Sequence, residues 1–158
     1  MKKLALTVRT AIERAFTRFD LPNGKTAESA VRLLLMIAAH ESGGFTYCKQ
    51  KGGPALGLFQ MEPATFEFVM GYLKRTGKFK AINRSTPFER LLIDPEFAAA
   101  MARVYLWTFP AALPSSDDLE GLASYAKKYW NTEQGKASSE KYLNDFISHV
   151  WSNENEVS

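Results

Sequence analysis

Glu41 has the sequence context of a catalytic acid. It follows an almost uninterrupted apolar stretch, residues 31–39, and it precedes Gly43 and Gly44. A carboxylate at the end of a buried helix loses hydration, which disfavours its charged form and raises its pKa toward the range that a general acid needs near neutral pH. The alternative is a structural glutamate that pairs with an arginine or caps the following loop. The motifs that follow Glu41 bear on this choice.

Three further motifs follow in order along the chain. Residues 57–65 read Gly-Leu-Phe-Gln-Met-Glu-Pro-Ala-Thr, a turn that leads into a helix at Pro63. Asp94-Pro95 precedes an alanine-rich segment, and residues 122–125 read Leu-Ala-Ser-Tyr. With the His-Glu-Ser-Gly-Gly-Phe segment at residues 40–45, they form an ordered set of four.

These four motifs resemble those of the soluble lytic transglycosylases. Residues 40–45 are similar to the family's Glu-Ser-x-Phe element, and residues 57–65 to its Gly-Leu-Met-Gln-x-Met-Pro-x-Thr element. The family's Asp-Pro and Ala-Tyr-Asn-Ala-Gly elements are matched more loosely by the other two motifs. The resemblance covers residues 30–147. It implies a mainly α, lysozyme-like fold of the goose-type lysozyme and lytic transglycosylase kind, formed by residues 1–158 as a single domain.

The resemblance also implies roles for individual residues. Glu41 would be the sole catalytic carboxylate. It would first protonate the β-1,4 glycosidic oxygen between N-acetylmuramic acid and N-acetylglucosamine, and then act as a base. Ser42 and Gln60 would bind sugar or peptide groups, while Phe59 and Tyr125 would pack on pyranose faces. For the two aromatic residues, ordinary core filling is the alternative.

Two positions depart from the family pattern. Glu62 stands where the family has methionine, so a second carboxylate is expected near the cleft. There it would hold water or stabilise an oxocarbenium-like transition state, unless it is only an acidic residue at a helix N-terminus. Ala126 follows Tyr125 where the family has asparagine. A local shift would let Tyr129 and Asn131 supply the missing pair, and the sequence does not decide between the two tyrosines.

The expected function is therefore cleavage of peptidoglycan glycan strands by a lytic transglycosylase, which forms a 1,6-anhydro product without water. A hydrolytic muramidase with the same acid is the first alternative. A glycan-binding phage structural protein of the same fold, without catalysis, is the second. Nucleic-acid binding is a distant third, because the basic residues are scattered rather than arranged in a stripe. No cofactor or metal is expected, since the two histidines, His40 and His149, are far apart in the sequence.

The periodicity of apolar residues predicts about seven helices. Their expected bounds are 4–19, 27–41, 63–72, 88–92, 96–109, 119–130 and 138–151, with Thr26 as the N-cap of the second and Gly43-Gly44 as its end. Residues 45–60 are rich in glycine and proline, which predicts a loop with at most a small β element. The second helix is apolar on nearly all sides, so we expect it to cross the core and to present Glu41 at its end.

Composition bears on where the protein is made and on what kind of partner it binds. The net charge is +3 and the isoelectric point is about 9.0, which suits an anionic envelope as partner. Cys48 is the only cysteine, so no internal disulfide is possible. The apolar segment after Lys2 and Lys3 is too short for a signal peptide, and no stretch is long enough to span a bilayer. We therefore expect a monomer, made in a host cytoplasm, without membrane insertion.

Such a protein would reach the wall or periplasm as a bacteriophage endolysin released through holin lesions, or as a virion component. The Gly-Pro-Ala-x-Gly-x-Phe-Gln-x-Glu-Pro pattern at residues 53–63 looks similar to phage members of the superfamily.

Overall fold

A computed structural model describes residues 1–22, 27–46, 49–50, 52–131 and 137–151 of the chain. The described part is mainly helical and contains no regular β-strand. Its elements are α1 (Lys3–Arg18), α2 (Ala27–Glu41), α3 (Pro63–Thr76), α4 (Arg90–Ile93), α5 (Pro95–Trp107), α6 (Leu119–Tyr125), a π-helical turn (Ala126–Asn131) and α7 (Ser139–His149). Every helix in the described ranges is too short or too polar to cross a bilayer.

Helix α2 crosses the centre of the core, as its composition predicted. It packs against α1, α5, α6 and α7, and all of its residues from Ser29 to Ala39 except Arg32 are buried. Full burial of each Leu, Ile or Met side chain stabilises the fold by roughly 1.5–3 kcal/mol. Arg32 reaches the surface, where it contacts Glu28 and Asp117. The helix is therefore held rigidly along its length, and its last residue is presented at a fixed position.

The end of α2 is set by two glycines in the left-handed region. Gly43 has a φ of 62° and Gly44 a φ of 75°, and the Gly44 N–H donates to the Ala39 carbonyl at 2.8 Å. A Cβ at Gly44 would lie only 2.6 Å from the His149 ring in α7. These glycines therefore end the helix directly after Glu41 and let α7 approach it closely.

In the described part of residues 45–61, the predicted β element consists of two isolated antiparallel bridges, Lys49 with Leu56 and Leu56 with Met61. The second bridge closes a tight turn in which Gly57 has a φ of 85°. A Cβ at Gly57 would lie 2.7 Å from the Leu91 carbonyl oxygen, so only glycine lets this turn pack on α4. The turn fixes Gln60 and the start of α3.

The predicted helix over 119–130 changes its winding halfway. It is α-helical only to Tyr125 and continues as a π-helical turn to Asn131. A π turn holds more residues than an α turn, so the side chains near its end, those of Trp130 and Asn131, point in directions that differ from those of a regular α-helix.

The other helix bounds agree with prediction within a few residues, and Ser138 caps α7 by accepting from the Lys141 N–H. The predicted cap at Thr26 and the parts of the predicted turns at Asn23, Gly24 and Gly135 lie outside the described residues, as does Cys48.

Candidate functional site

Glu41 is the last residue of α2, and its partly buried carboxylate faces a cavity. The phenol of Tyr142 in α7 donates a hydrogen bond to its Oε1 at 2.8 Å. Within the described residues, no arginine or lysine forms an ion pair with this carboxylate. The structural alternative of an arginine-paired glutamate therefore has no support in this part of the chain.

The surroundings of Glu41 favour its protonated form. Burial raises the pKa of this carboxyl above its ordinary value of 4.5, and the negative charge of Glu62 raises it further. The hydrogen bond from Tyr142 and the proximity of His40 act in the opposite direction but do not cancel the effect of burial. The carboxyl is thus biased toward the state from which it can donate a proton.

A second layer of contacts holds Tyr142 in place. The tyrosine is fully buried, and the His40 ring lies against it with the ring centroids 4.1 Å apart. Nδ1 of His40 is 2.7 Å from Oδ2 of Asp145, and since an ionised carboxylate can only accept, this nitrogen carries the hydrogen. Asp145 also accepts from Lys141 at 3.1 Å. These contacts fix the phenol that binds Glu41.

The burial of Tyr142 also fixes its protonation state. Burial, with the nearby charge of Glu41, raises the pKa of the Tyr142 phenol well beyond its ordinary value of 10. It therefore stays protonated at any pH at which the protein would act, and it remains a hydrogen-bond donor to Glu41.

The cavity in front of Glu41 has a volume of about 310 Å³. It combines two carboxylates, three neutral polar side chains and two large aromatic rings. Its lining residues are Glu41, Gln60, Met61, Glu62, Thr65, Tyr105, Trp130 and Asn131. Polar groups that fix orientation beside aromatic surfaces that pack on apolar ring faces suit a polar ring-shaped ligand such as a sugar. Among the described residues, no three His, Cys, Asp or Glu side chains come together as a metal site.

Three of the residues predicted from the sequence meet in this cavity, namely Glu41, Gln60 and Glu62. Gln60 has a φ of 49°, and its side-chain amide donates to the Gly57 carbonyl at 2.7 Å, which fixes its position in the turn. Glu62 is exposed and directly precedes Pro63 at the start of α3. Glu62 therefore lies both at a helix N-terminus and in the lining of the cavity, so its position fits both alternatives.

Two other predicted residues lie in the interior instead. Ser42 is fully buried, and its hydroxyl donates to the Ala38 carbonyl at 2.5 Å and accepts from the Phe45 N–H at 2.8 Å. Phe59 is 1% exposed and packs edge-on against Trp130. Ser42 thus shapes the end of α2 and Phe59 supports the cavity wall from behind, so their predicted contact with sugar is corrected to a structural role.

Neither Tyr125 nor Tyr129 lines the Glu41 cavity. Their rings pack against each other with the centroids 4.4 Å apart, and the Tyr125 hydroxyl donates to the Ala111 carbonyl at 3.1 Å. The cavity is lined instead by Trp130 and Asn131, at the end of the π-helical turn that begins after Tyr125. The alternative of a local shift is thus half right in placement, since Asn131 lines the cavity and Tyr129 does not.

Five lining or contacting residues were missed by sequence reasoning: Met61, Thr65, Tyr105, Trp130 and Tyr142. Thr65 closes the quoted 57–65 motif and Trp130 adjoins Tyr129, so both carried a local signal. Tyr142 carried none, because its spacing with Phe146 in α7 is that of an ordinary core face.

A larger concavity of about 500 Å³ lies between α1 and the segment before α4, but its charged groups are engaged with one another. Arg18 binds Asp94 at 3.0 Å, and the Asp94 side chain also caps α5. Volume alone does not mark a site of chemistry, and the Glu41 cavity has the better-suited groups.

No protein-family model matches this chain, and no curated protein or solved structure matches it either.

Proposed function

We propose that this protein cleaves the glycan strands of peptidoglycan at the β-1,4 bond after N-acetylmuramic acid, with Glu41 as general acid and then base. The observation that carries the proposal is a partly buried carboxyl with a raised pKa, held by Tyr142 and open to a cavity lined by polar and aromatic side chains. The mainly helical fold with a central helix ending at this residue supports the lysozyme-like part of the proposal.

In the proposed reaction, Glu41 donates its proton to the glycosidic oxygen as the bond to the muramoyl C1 breaks. The carboxylate that results then removes a proton from the muramoyl 6-hydroxyl, which attacks C1 and yields the 1,6-anhydro product. Tyr142 stabilises the carboxylate stage, because a hydrogen bond to the charged form lowers its free energy. Gln60 and Asn131 would orient sugar substituents, and Trp130 or Tyr105 would pack on a pyranose face.

Glu62 favours one second candidate, hydrolysis by a muramidase. It is exposed and lines the same cavity as Glu41, so a carboxylate is available to hold a water molecule near C1. The acid step by Glu41 is the same in both reactions, and only the nucleophile differs. The setting that we propose for either activity is bacteriophage-mediated wall degradation.

Digestion of purified peptidoglycan, with mass spectrometry of the released muropeptides, tests the proposal and separates the two chemistries. Muropeptides with 1,6-anhydromuramic ends support the transglycosylase, and reducing muramic ends support the muramidase. If wild-type protein binds the sacculus but releases nothing, the cavity only holds glycan and the proposal of catalysis fails. Strong salt-dependent retention on DNA without binding to peptidoglycan would instead favour a nucleic-acid partner.

A further inference from the structure

Arg103, in the middle of α5, is a buried cation for which the described residues supply no anionic partner. It is 4% exposed, and its Nε has no hydrogen-bond partner in the described part of the chain. Its guanidinium lies over the Trp107 ring, 5.3 Å from the centroid. Burial lowers the pKa of this arginine, which reflects the cost of keeping its charge out of water.

The contrast with other arginines of the protein is direct. Arg9 pairs with Glu13 and Glu28, and Arg18 pairs with Asp94 and Glu96. Those arginines lie nearer to solvent, where an unpaired charge would cost little. The arginine that most needs a counter-charge is thus one for which the described residues supply no ion pair.

Arg103 lines a cavity of about 390 Å³, which is within the range of roughly 300–1,000 Å³ typical of small-molecule sites. The walls are otherwise uncharged and mostly apolar. They consist of Leu106, Trp107, Phe109, Pro110, Ala111, Ala112, Leu113 and Tyr125. The hydrogen bond from Tyr125 to the Ala111 carbonyl ties the 109–113 segment in place as one wall. The cavity therefore has a preformed wall and, among its lining residues, one cation.

We propose that this cavity binds a small monocarboxylate with an apolar, ring-sized body. The planar guanidinium offers paired N–H donors that match a carboxylate. One buried cation is neutralised by one negative charge, whereas a dianion such as phosphate would leave a net charge among apolar walls. The apolar walls then favour a ligand whose remaining atoms are hydrocarbon.

The proposed site is separate from the Glu41 cavity, since the two share no lining residue among those described. A layer of aromatic rings lies between them. Phe109 lies in the wall of the Arg103 cavity, and its ring centroid is 5.2 Å from that of Tyr105. The Tyr105 centroid is in turn 5.6 Å from that of Trp130. Binding at Arg103 therefore does not depend on glycan cleavage, and it is tested by binding alone.

The test is calorimetric titration of the full-length protein with phenylacetate, and with phenylacetamide as the neutral match in shape. Hydrogen bonds to a charged group predict that phenylacetate binds about ten- to a hundredfold more tightly than the amide. Arg103→Met should abolish this preference while raising the thermal stability of the ligand-free protein, because an unpaired buried charge is removed. Arg14→Met, at an exposed position of α1, is the control that should leave the preference unchanged.

Equal affinity for the acid and the amide, or the same preference in wild type and Arg103→Met, would overturn the proposal. So would equally tight binding of inorganic phosphate, since the site would then be a general anion contact. If Arg103→Met fails to fold, Arg103→Lys replaces it: retention of charge without the planar fork should weaken phenylacetate binding and leave the amide unaffected. The comparison of acid with amide in wild type needs no variant, and equal affinities there overturn the proposal by themselves.

Discussion

Helix α2 carries a glutamate near each end, and the two have opposite surroundings. Glu28, in the first turn, forms ion pairs with Arg9 and Arg32, and these contacts lower its pKa below the ordinary value of 4.5. Glu41, in the last turn, has a tyrosine as its hydrogen-bond donor, and burial raises its pKa above the same value. One helix therefore holds one carboxyl as an anion and biases the other toward the acid form.

The position in the helix adds to this difference. Negative charge is favourable near a helix N-terminus, where Glu28 lies, and unfavourable near the C-terminus, where Glu41 lies. Glu28 thus has the features of a residue that stabilises the fold. Glu41 is placed where its charge is costly, which is a feature of functional sites.

The largest expected effect is the loss of glycan cleavage in Glu41→Gln. Removal of a general acid–base group lowers the rate by about 10²–10⁴-fold. Glu28→Gln is the matched control on the same helix, and its rate should stay close to that of wild type. Release of soluble muropeptides over time measures both variants. Equal rates for Glu41→Gln and wild type would contradict the assignment of Glu41.

Tyr142→Phe should have the next largest effect. A hydrogen bond to a charged group is worth roughly 1.5–3 kcal/mol, so the rate should fall by about ten- to a hundredfold as the carboxylate stage loses this bond. Loss of the donor should also raise the pKa of Glu41 further. The limb of the pH–rate profile that reports the titration of Glu41 should therefore move to higher pH. The phenyl ring of this variant would keep the packing against His40, so a rate loss without a shift of the profile would indicate a merely structural role.

The two glutamine variants should change the free energy of unfolding differently at neutral pH. Glu28→Gln should lower the free energy of unfolding by up to about 1 kcal/mol, a small value because the pair is partly exposed and screened by solvent. Glu41→Gln should leave it unchanged or raise it, because a carboxylate that is costly to bury is replaced by a neutral group of the same shape. Urea denaturation measures both, and a larger loss for Glu41→Gln would refute this ordering.

The same pair predicts opposite pH dependences. The stability contributed by Glu28 is present above pH 4.5 and is lost as the pH falls through its lowered folded pKa. The folded state retains the Glu41 proton that the unfolded chain releases near pH 4.5, so the contribution of Glu41 falls as the pH rises from there through its raised folded pKa. Denaturation of wild type and of each variant across this range should show the two trends.

Glu62→Gln should have the smallest effect if the protein is a transglycosylase. Loss of the Glu62 charge should lower the pKa of Glu41 only slightly, because an exposed charge acts through solvent. The pH–rate profile would then move slightly to lower pH with little change in maximal rate. A severe loss of rate would instead favour the muramidase, in which this carboxylate holds water.

The local features of the fold could be predicted because local chemistry determines them. The bounds of α2 follow from its apolar run and from Gly43-Gly44, and the start of α3 follows from Pro63. The π-helical turn at Ala126–Asn131 could not be predicted, because no distinctive residue marks it in the sequence; in the structure it packs against α2 and α7. Trp130 and Asn131, at the end of this turn, line the cavity, and the predicted Tyr125 and Tyr129 do not.

The residues of the candidate site could likewise be predicted only where they lie in local sequence motifs. Glu41 lies in the motif at residues 40–45, and Gln60 and Glu62 lie in the motif at residues 57–65. The structure brings the two motifs to one cavity. Tyr142 is separated from Glu41 by 101 positions, and its contact depends on how α7 packs on α2. A pairing of this kind requires the three-dimensional structure.

The central claim, that the C-terminal end of α2 holds its glutamate in the form that an acid catalyst needs, is tested most directly by NMR titration of the glutamate carboxyl carbons. Glu41→Gln and Glu28→Gln assign the two signals by their loss. The account predicts that Glu41 titrates above 4.5 and Glu28 below it. A Glu41 signal that titrates at or below that of Glu28 would contradict the account.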